Sequence, residues 1–115
     1  RKAAIKFFEM LKNDSRFMTP LAPELDIVVW APKAKYAREI SRLSKAIFEA
    51  AAAENLHLAM SNLPRSLFIE SKEEIQWDQD YVTYLRSCLM KPEHLDWMSH
   101  IWQALNRAAH TVLNK

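Results

Sequence analysis

The stretch YVTYLRSCLM, residues 81–90, has the β-branched and aromatic composition of a strand, yet it sets Arg86 in the middle of a run otherwise suited to a core. Side chains alternate across a strand, so Thr83, Leu85, Ser87 and Leu89 point one way and Val82, Tyr84, Arg86 and Cys88 the other. If helices cover one face of the sheet, the leucines belong to that face. Arg86 then projects from the open face, with Tyr84 and Cys88 as its neighbours. A guanidinium keeps its charge and must reach water, a carboxylate or a ligand. Snorkelling to solvent or pairing with Glu70 would make Arg86 structural, whereas a planar fork for a carboxylate would make it functional.

The flanking sequence places this strand in a fold. Downstream, Pro92 suits the first turn of a helix, and Leu95, Met98, Ile101, Trp102, Leu105, Ala108, Ala109 and Val112 form its apolar stripe. Upstream, Ala4, Ile5, Phe7, Phe8 and Leu11 recur at helical spacing, and NDSRFMTPLAP then breaks the period as a loop. ELDIVVWAP predicts a strand buried on both sides, or nearly so, and stopped by Pro32. A second amphipathic helix follows, with Ala37, Ile40, Leu43, Ile47, Ala50 and Ala51 on one stripe. LHLAMSNLPRSLFIE predicts two short strands or one interrupted at Pro64, and SKEEIQWDQD a polar loop. The order of elements gives an α/β (α+β) two-layer sandwich, a small, mostly antiparallel sheet with helices on one face, as a single domain over residues 1–115.

Composition narrows the functional classes. Of 115 residues 50% are hydrophobic and 26% charged, which fits a globular chain with one core. The longest apolar runs, such as Ile27 to Ala31, are too short for a signal peptide or a membrane span. One cysteine excludes an internal disulfide and suits a reducing, cytoplasmic setting. Ten of the 16 basic residues lie in the first 50 positions without forming a stripe, which argues against a nucleic-acid partner. Glycine is absent altogether, so the glycine-rich phosphate cradles of nucleotide-binding motifs are excluded. That absence, with RKAAIKFFEML starting in mid-helix, points to a fragment of a larger enzyme.

The usual chemical constellations are missing. His57, His94, His100 and His110 include no pair spaced to bind one metal from a helix face. Cys88 has no CxxC partner and suits a small core residue, and no nucleophile elbow surrounds any serine.

YLRSCLMKPEHLDWMSHIWQALNRAA resembles the C-terminal end of the pyridoxal-phosphate-dependent group II amino-acid decarboxylases, the aromatic-amino-acid and glutamate decarboxylase family. PELDIVVWAPKA is similar to the family's earlier small-domain strand, though Asp26 stands where relatives often carry asparagine or serine. RKAAIKFFEML resembles the end of the helix that links the large and small domains, over residues 1–13. The resemblance implies the C-terminal domain of fold type I enzymes. It implies a large cofactor-binding domain in the same chain, a homodimeric parent and an amino-acid substrate whose decarboxylation leaves a carbanion stabilised by pyridoxal phosphate. Arg86 would approach the substrate carboxylate, with Tyr84 and Cys88 beside it. No His-Lys pair occurs, and Lys45 and Lys72, each after a serine, lie in a predicted helix and a polar loop. The cofactor lysine therefore has no counterpart, and the fragment itself is expected to bind no cofactor and catalyse nothing. The alternative is a free-standing α/β binding or regulatory module.

Overall fold

The computed structural model describes residues 2–68, 75–88 and 97–114. Within them the chain forms three α-helices, α1 over Lys2–Lys12, α2 over Ala37–Ala53 and α3 over Met98–Leu113. Four strands, β1 Phe17–Met18, β2 Ile27–Pro32, β3 Ala59–Pro64 and β4 Tyr81–Cys88, form one sheet in the order β1-β2-β4-β3. Every neighbouring pair is antiparallel. Glu70, Lys72, Leu89, Pro92, His94 and Leu95, on which some expectations rested, lie outside the described residues.

The expected α+β layering is present. Phe7 and Leu11 of α1, Ile47 of α2, and Met98, Leu105 and Ala109 of α3 share one buried cluster with Val28, Trp30 and Leu85 of the sheet. Trp30 is fully buried and meets Phe7 and Phe17 edge-on, with ring centroids 6.4 and 5.3 Å apart. Trp102 closes the cluster edge-on against the same two phenylalanines. Each such pair adds about 0.5–1.5 kcal/mol beyond the area it buries. The indole N–H of Trp30 donates to the Ser87 hydroxyl at 3.0 Å, so the one polar atom of the ring is satisfied inside the core.

Several expectations are corrected. NDSRFMTPLAP is not wholly a loop: Phe17 and Met18, both buried, pair with Pro32 and Ala31 as β1. β2 does stop at Pro32, as expected. β2 is buried on both sides only toward its C-terminal end, since Ile27 is exposed and Val29 half-buried. The segment around Pro64 is a single strand followed by a 3-10 turn, Arg65–Phe68.

The polar loop before β4 also does more than connect. Gln76 pairs with Tyr36 as an isolated bridge, and Asp78 accepts the backbone N–H of Arg38 at 2.9 Å. Tyr36, at the N-cap of α2, offers no side-chain cap, so a carboxylate 40 positions away satisfies an N-terminal donor of the helix. Ile75 and Trp77 thereby pack against the second buried cluster, which holds Val82, Tyr84, Met18, Ala31 and Leu63 on the face away from α1 and α3. Together with Ala37 and Ile40 of α2, they cover part of the sheet's open face.

Backbone positions that favour glycine are filled otherwise. Asn55 takes φ 61° just past α2, and the bonds Leu56 N to Ala51 O and Asn55 N to Ala52 O close a Schellman cap around it. Asparagine tolerates that conformation.

β4 depends on a hydrogen bond from outside the sheet. Arg65 N–H bonds to the Asp80 carbonyl, which sets the alternation of rungs along β3 and β4 and turns the backbone groups of Thr83, Leu85 and Ser87 toward β2. Trp30 and Val28 meet two of these, and the ladder to β2 ends at the Trp30–Leu85 pair, before Thr83. The Thr83 N–H instead donates to the Ser41 hydroxyl of α2 at 2.9 Å, and Gln79 Nε2 donates to the same oxygen. By contrast the buried hydroxyl of Ser44, one turn on, has no partner among the described residues. Ser41→Ala is therefore expected to destabilise the chain by about 1–3 kcal/mol, and Ser44→Ala to leave stability unchanged or raise it. Urea unfolding of the two variants checks this, and equal losses would contradict it.

Asp14 chelates Arg16 at 3.0 and 2.8 Å, and Arg16 also donates to Asn106 of α3, tying the loop before β1 to the last helix. The hydrogen bond from the Arg16 side chain holds the Asp14 carboxyl below its ordinary range, against the upward push of partial burial. A lowered folded-state pKa stabilises above the unfolded value, and that contribution fades as pH falls through the ordinary carboxylate range toward the lowered value. Asp14→Asn should flatten this part of the acid stability profile. The difference should stay within about 1 kcal/mol, because the pair is partly exposed.

Candidate functional site: a charged groove on the open sheet face

The uncovered part of the open face lies where β2 and β4 run beside the chain that precedes β2. Antiparallel partners project to the same side, so Val29, Arg86 and Ala59 stand in one row. The chain before β2 folds back in a two-residue hairpin in which Glu24 and Ile27 exchange both backbone hydrogen bonds, at 3.1 and 3.0 Å. Leu25 opens that turn at φ 55°, a left-handed position that such hairpins normally give to glycine. A leucine there costs about 1–3 kcal/mol. Its side chain is 72% exposed, so its own fold gains little from it.

These parts enclose a groove of about 520 Å³. Val29, Tyr84 and Arg86 form its floor, and Leu21, Glu24, Leu25 and Ile27 its walls. Leu21 and Ile27 are exposed at 39% and 37%. Arg86 is exposed, and among the described residues neither its guanidinium nor the carboxylate of Glu24 has a hydrogen-bond or ion-pair partner. Two opposite charges thus border one apolar groove without engaging each other.

Of the residues singled out in the sequence, Arg86 and Tyr84 are brought together here. Tyr84 is only 9% exposed and Val82 is fully buried, because the open face near them is covered. Cys88 stands opposite Ile27 in the ladder. The hairpin residues were missed: "TPLAPELDI" signals a loop by its prolines but not the fold-back that brings Glu24 and Leu25 beside Arg86.

The groove presents one cation, one anion and a phenol, and every described lysine is exposed and outside it. A pyridoxal Schiff base needs a lysine, and the described lining of the groove includes none. No cluster of three His, Cys, Asp or Glu among the described residues could hold a metal ion. A second cavity gathers Arg16, Lys33 and Arg42 around the end of α3, where cations complement the terminal helix carbonyls. No helix among the described residues is long and apolar enough to cross a membrane.

Neither models of known families nor curated protein sequences match this chain. Solved structures do share its fold. The 4-hydroxyphenylacetaldehyde synthase of Rhodiola rosea superposes with a TM-score of 0.63 at 15% identity, over 96% of this chain and 21% of that one. The glutamate decarboxylase domain of a diaminobutyrate-pyruvate transaminase and L-2,4-diaminobutyrate decarboxylase from Vibrio parahaemolyticus gives 0.58 at 15% identity, over 94% and 20%. The chain spans about a fifth of the length of these structures.

Proposed function

We propose that this chain is the C-terminal small domain of a pyridoxal-phosphate-dependent amino-acid decarboxylase, in which Arg86 is a fork for the substrate carboxylate and Tyr84 and Cys88 flank it. The observation that carries the proposal is an exposed arginine, unengaged among the described residues, on an apolar groove of a fold shared with part of a decarboxylase structure. A planar guanidinium binds a carboxylate through two parallel hydrogen bonds, which fixes its orientation as well as its charge. Pyridoxal phosphate, when bound by the rest of the parent, supplies an electron sink. This domain contributes only orientation and charge. A cytoplasmic, homodimeric parent, with its large domain laid against the open face, completes the proposal.

In the parent, Arg86→Lys retains charge but loses the paired donors, so kcat/KM should fall about ten- to a hundredfold, equivalent to roughly 1.5–3 kcal/mol. Melting temperature should hardly move, since an exposed charge contributes little to folding. Unchanged kinetics, or a large thermal loss, would make Arg86 a scaffold residue. The 115-residue chain alone, mixed with pyridoxal phosphate, should show no aldimine absorbance that borohydride abolishes. Such a band would mean that one of its own lysines holds the cofactor.

A further inference from the structure

We infer that the groove beside Arg86 takes an amino acid whose side chain ends in an ammonium, and that Glu24 is the residue that selects it. The inference rests on the proposed role of Arg86 and adds the other end of the substrate. Arg86 and Glu24 border one groove of about 520 Å³, and among the described residues neither side chain has a hydrogen-bond or ion-pair partner. The rest of the lining is largely apolar, with Leu21, Leu25, Ile27 and Val29. A ligand complementary to such a lining carries an anion, a methylene stem and a cation. Lysine side chains lie on proteins in the same way, the stem along apolar surface and the charge at its tip. The anion is the carboxylate that Arg86 holds through two parallel hydrogen bonds. Under the proposed function the α-amino group is engaged by pyridoxal phosphate, so the cation that reaches Glu24 is a second one, at the end of the side chain.

Desolvation decides between this ligand and a neutral or acidic one. With the large domain laid against the open face, Glu24 loses water, and a carboxylate withdrawn from water without a partner is costly. An aromatic or aliphatic side chain leaves that cost in place, and an acidic one adds a like charge. An ammonium removes the cost and gains a charge-assisted hydrogen bond. Selectivity then comes as much from what Glu24 repels as from what it holds. The hairpin fixes Glu24 for this task, since its N–H and its carbonyl are both bonded to Ile27, at 3.1 and 3.0 Å. Those bonds belong to the backbone, so the side chain can be exchanged without opening the turn.

The test compares kcat/KM of the parent for L-ornithine and L-lysine with that for L-norvaline and L-norleucine, which have the same stems without the ammonium, and for L-glutamate. The basic pair is expected to be preferred. Glu24→Gln should lower that preference at least about tenfold, the effect of roughly 1.4 kcal/mol. Glu24→Lys should shift it toward L-glutamate. Arg86→Lys should lower kcat/KM for all five together, since each brings the same carboxylate. The 115-residue chain gives a readout free of activity. In NMR titrations the basic pair should move the amide signals of residues 24–27 at lower concentration than L-norvaline and L-norleucine do, and Glu24→Gln should erase that difference. No preference for the basic pair, or one that Glu24→Gln leaves unmoved, overturns the inference; if Arg86→Lys still lowers all five rates, the proposed function survives it. A parent indifferent to Arg86→Lys sinks that function instead, and the titration then decides alone whether the groove selects an ammonium.

Discussion

The hydrogen bond from the Trp30 indole to the Ser87 hydroxyl fixes the register on which the groove depends. A strand slipped by one residue turns every side chain to the opposite face. Here a slip between β2 and β4 would drive Arg86 into the aromatic cluster and Leu85 into water. Trp30 is fully buried, so its N–H must find an acceptor, and in the observed register Ser87 supplies one at 3.0 Å. With Trp30 paired to Leu85, Val29 and Arg86 fall in one row on the other face. A buried donor on one side of the sheet thus specifies the position of an exposed cation on the other.

The same interplay of a missing and a supplied hydrogen bond shapes the end of the sheet. The β2–β4 ladder ends at the Trp30–Leu85 pair, and the end of β2 pairs with β1 instead. The donor left over on Thr83 is taken up by Ser41, which ties α2 to the middle of β4. On the other face, the bridge from Gln76 to Tyr36 and the contact of Asp78 with Arg38 hold Ile75 and Trp77 over Val82 and Tyr84. Coverage stops short of Arg86, and the division between core and groove on that face follows from where this segment is anchored.

The helices and the strand carrying Arg86 were legible in the sequence because burial on one side imposes a period. Phe7 and Leu11, Ile40 and Ile47, Leu105 and Ala109 all repeat at helical spacing and all are buried. The alternation in residues 81–87 correctly sent Leu85 to the helices and Arg86 away from them. Period says nothing of interactions between distant segments. Neither the two-residue strand β1 nor the cap of α2 by Asp78 has a local pattern, since each exists only through a partner brought close by the fold. Ser41 and Ser44 break the apolar stripe of α2 yet are buried, one because a strand donor needs it and the other with no such compensation. Glu24 and Leu25 were invisible as site residues for the same reason: the fold-back of the hairpin, not spacing, sets them beside Arg86.

The absence of glycine sharpens the contrast between the two left-handed residues. Asn55 occupies a helix cap where its conformation is tolerated and where two backbone bonds stabilise it. Leu25 occupies a comparable conformation in a hairpin, with no tolerance of that kind and with its side chain largely in solvent. If only the turn mattered, asparagine or aspartate would serve better there, and Asp26 stands one position later. Strain of this sort persists where the surroundings impose it, and it gathers at surfaces that act on something outside the chain. The two exchanged bonds between Glu24 and Ile27 hold the turn closed, and the groove beside it is apolar between opposed charges. The left-handed backbone and the exposure of Leu25 are therefore not accounted for by what the turn itself needs.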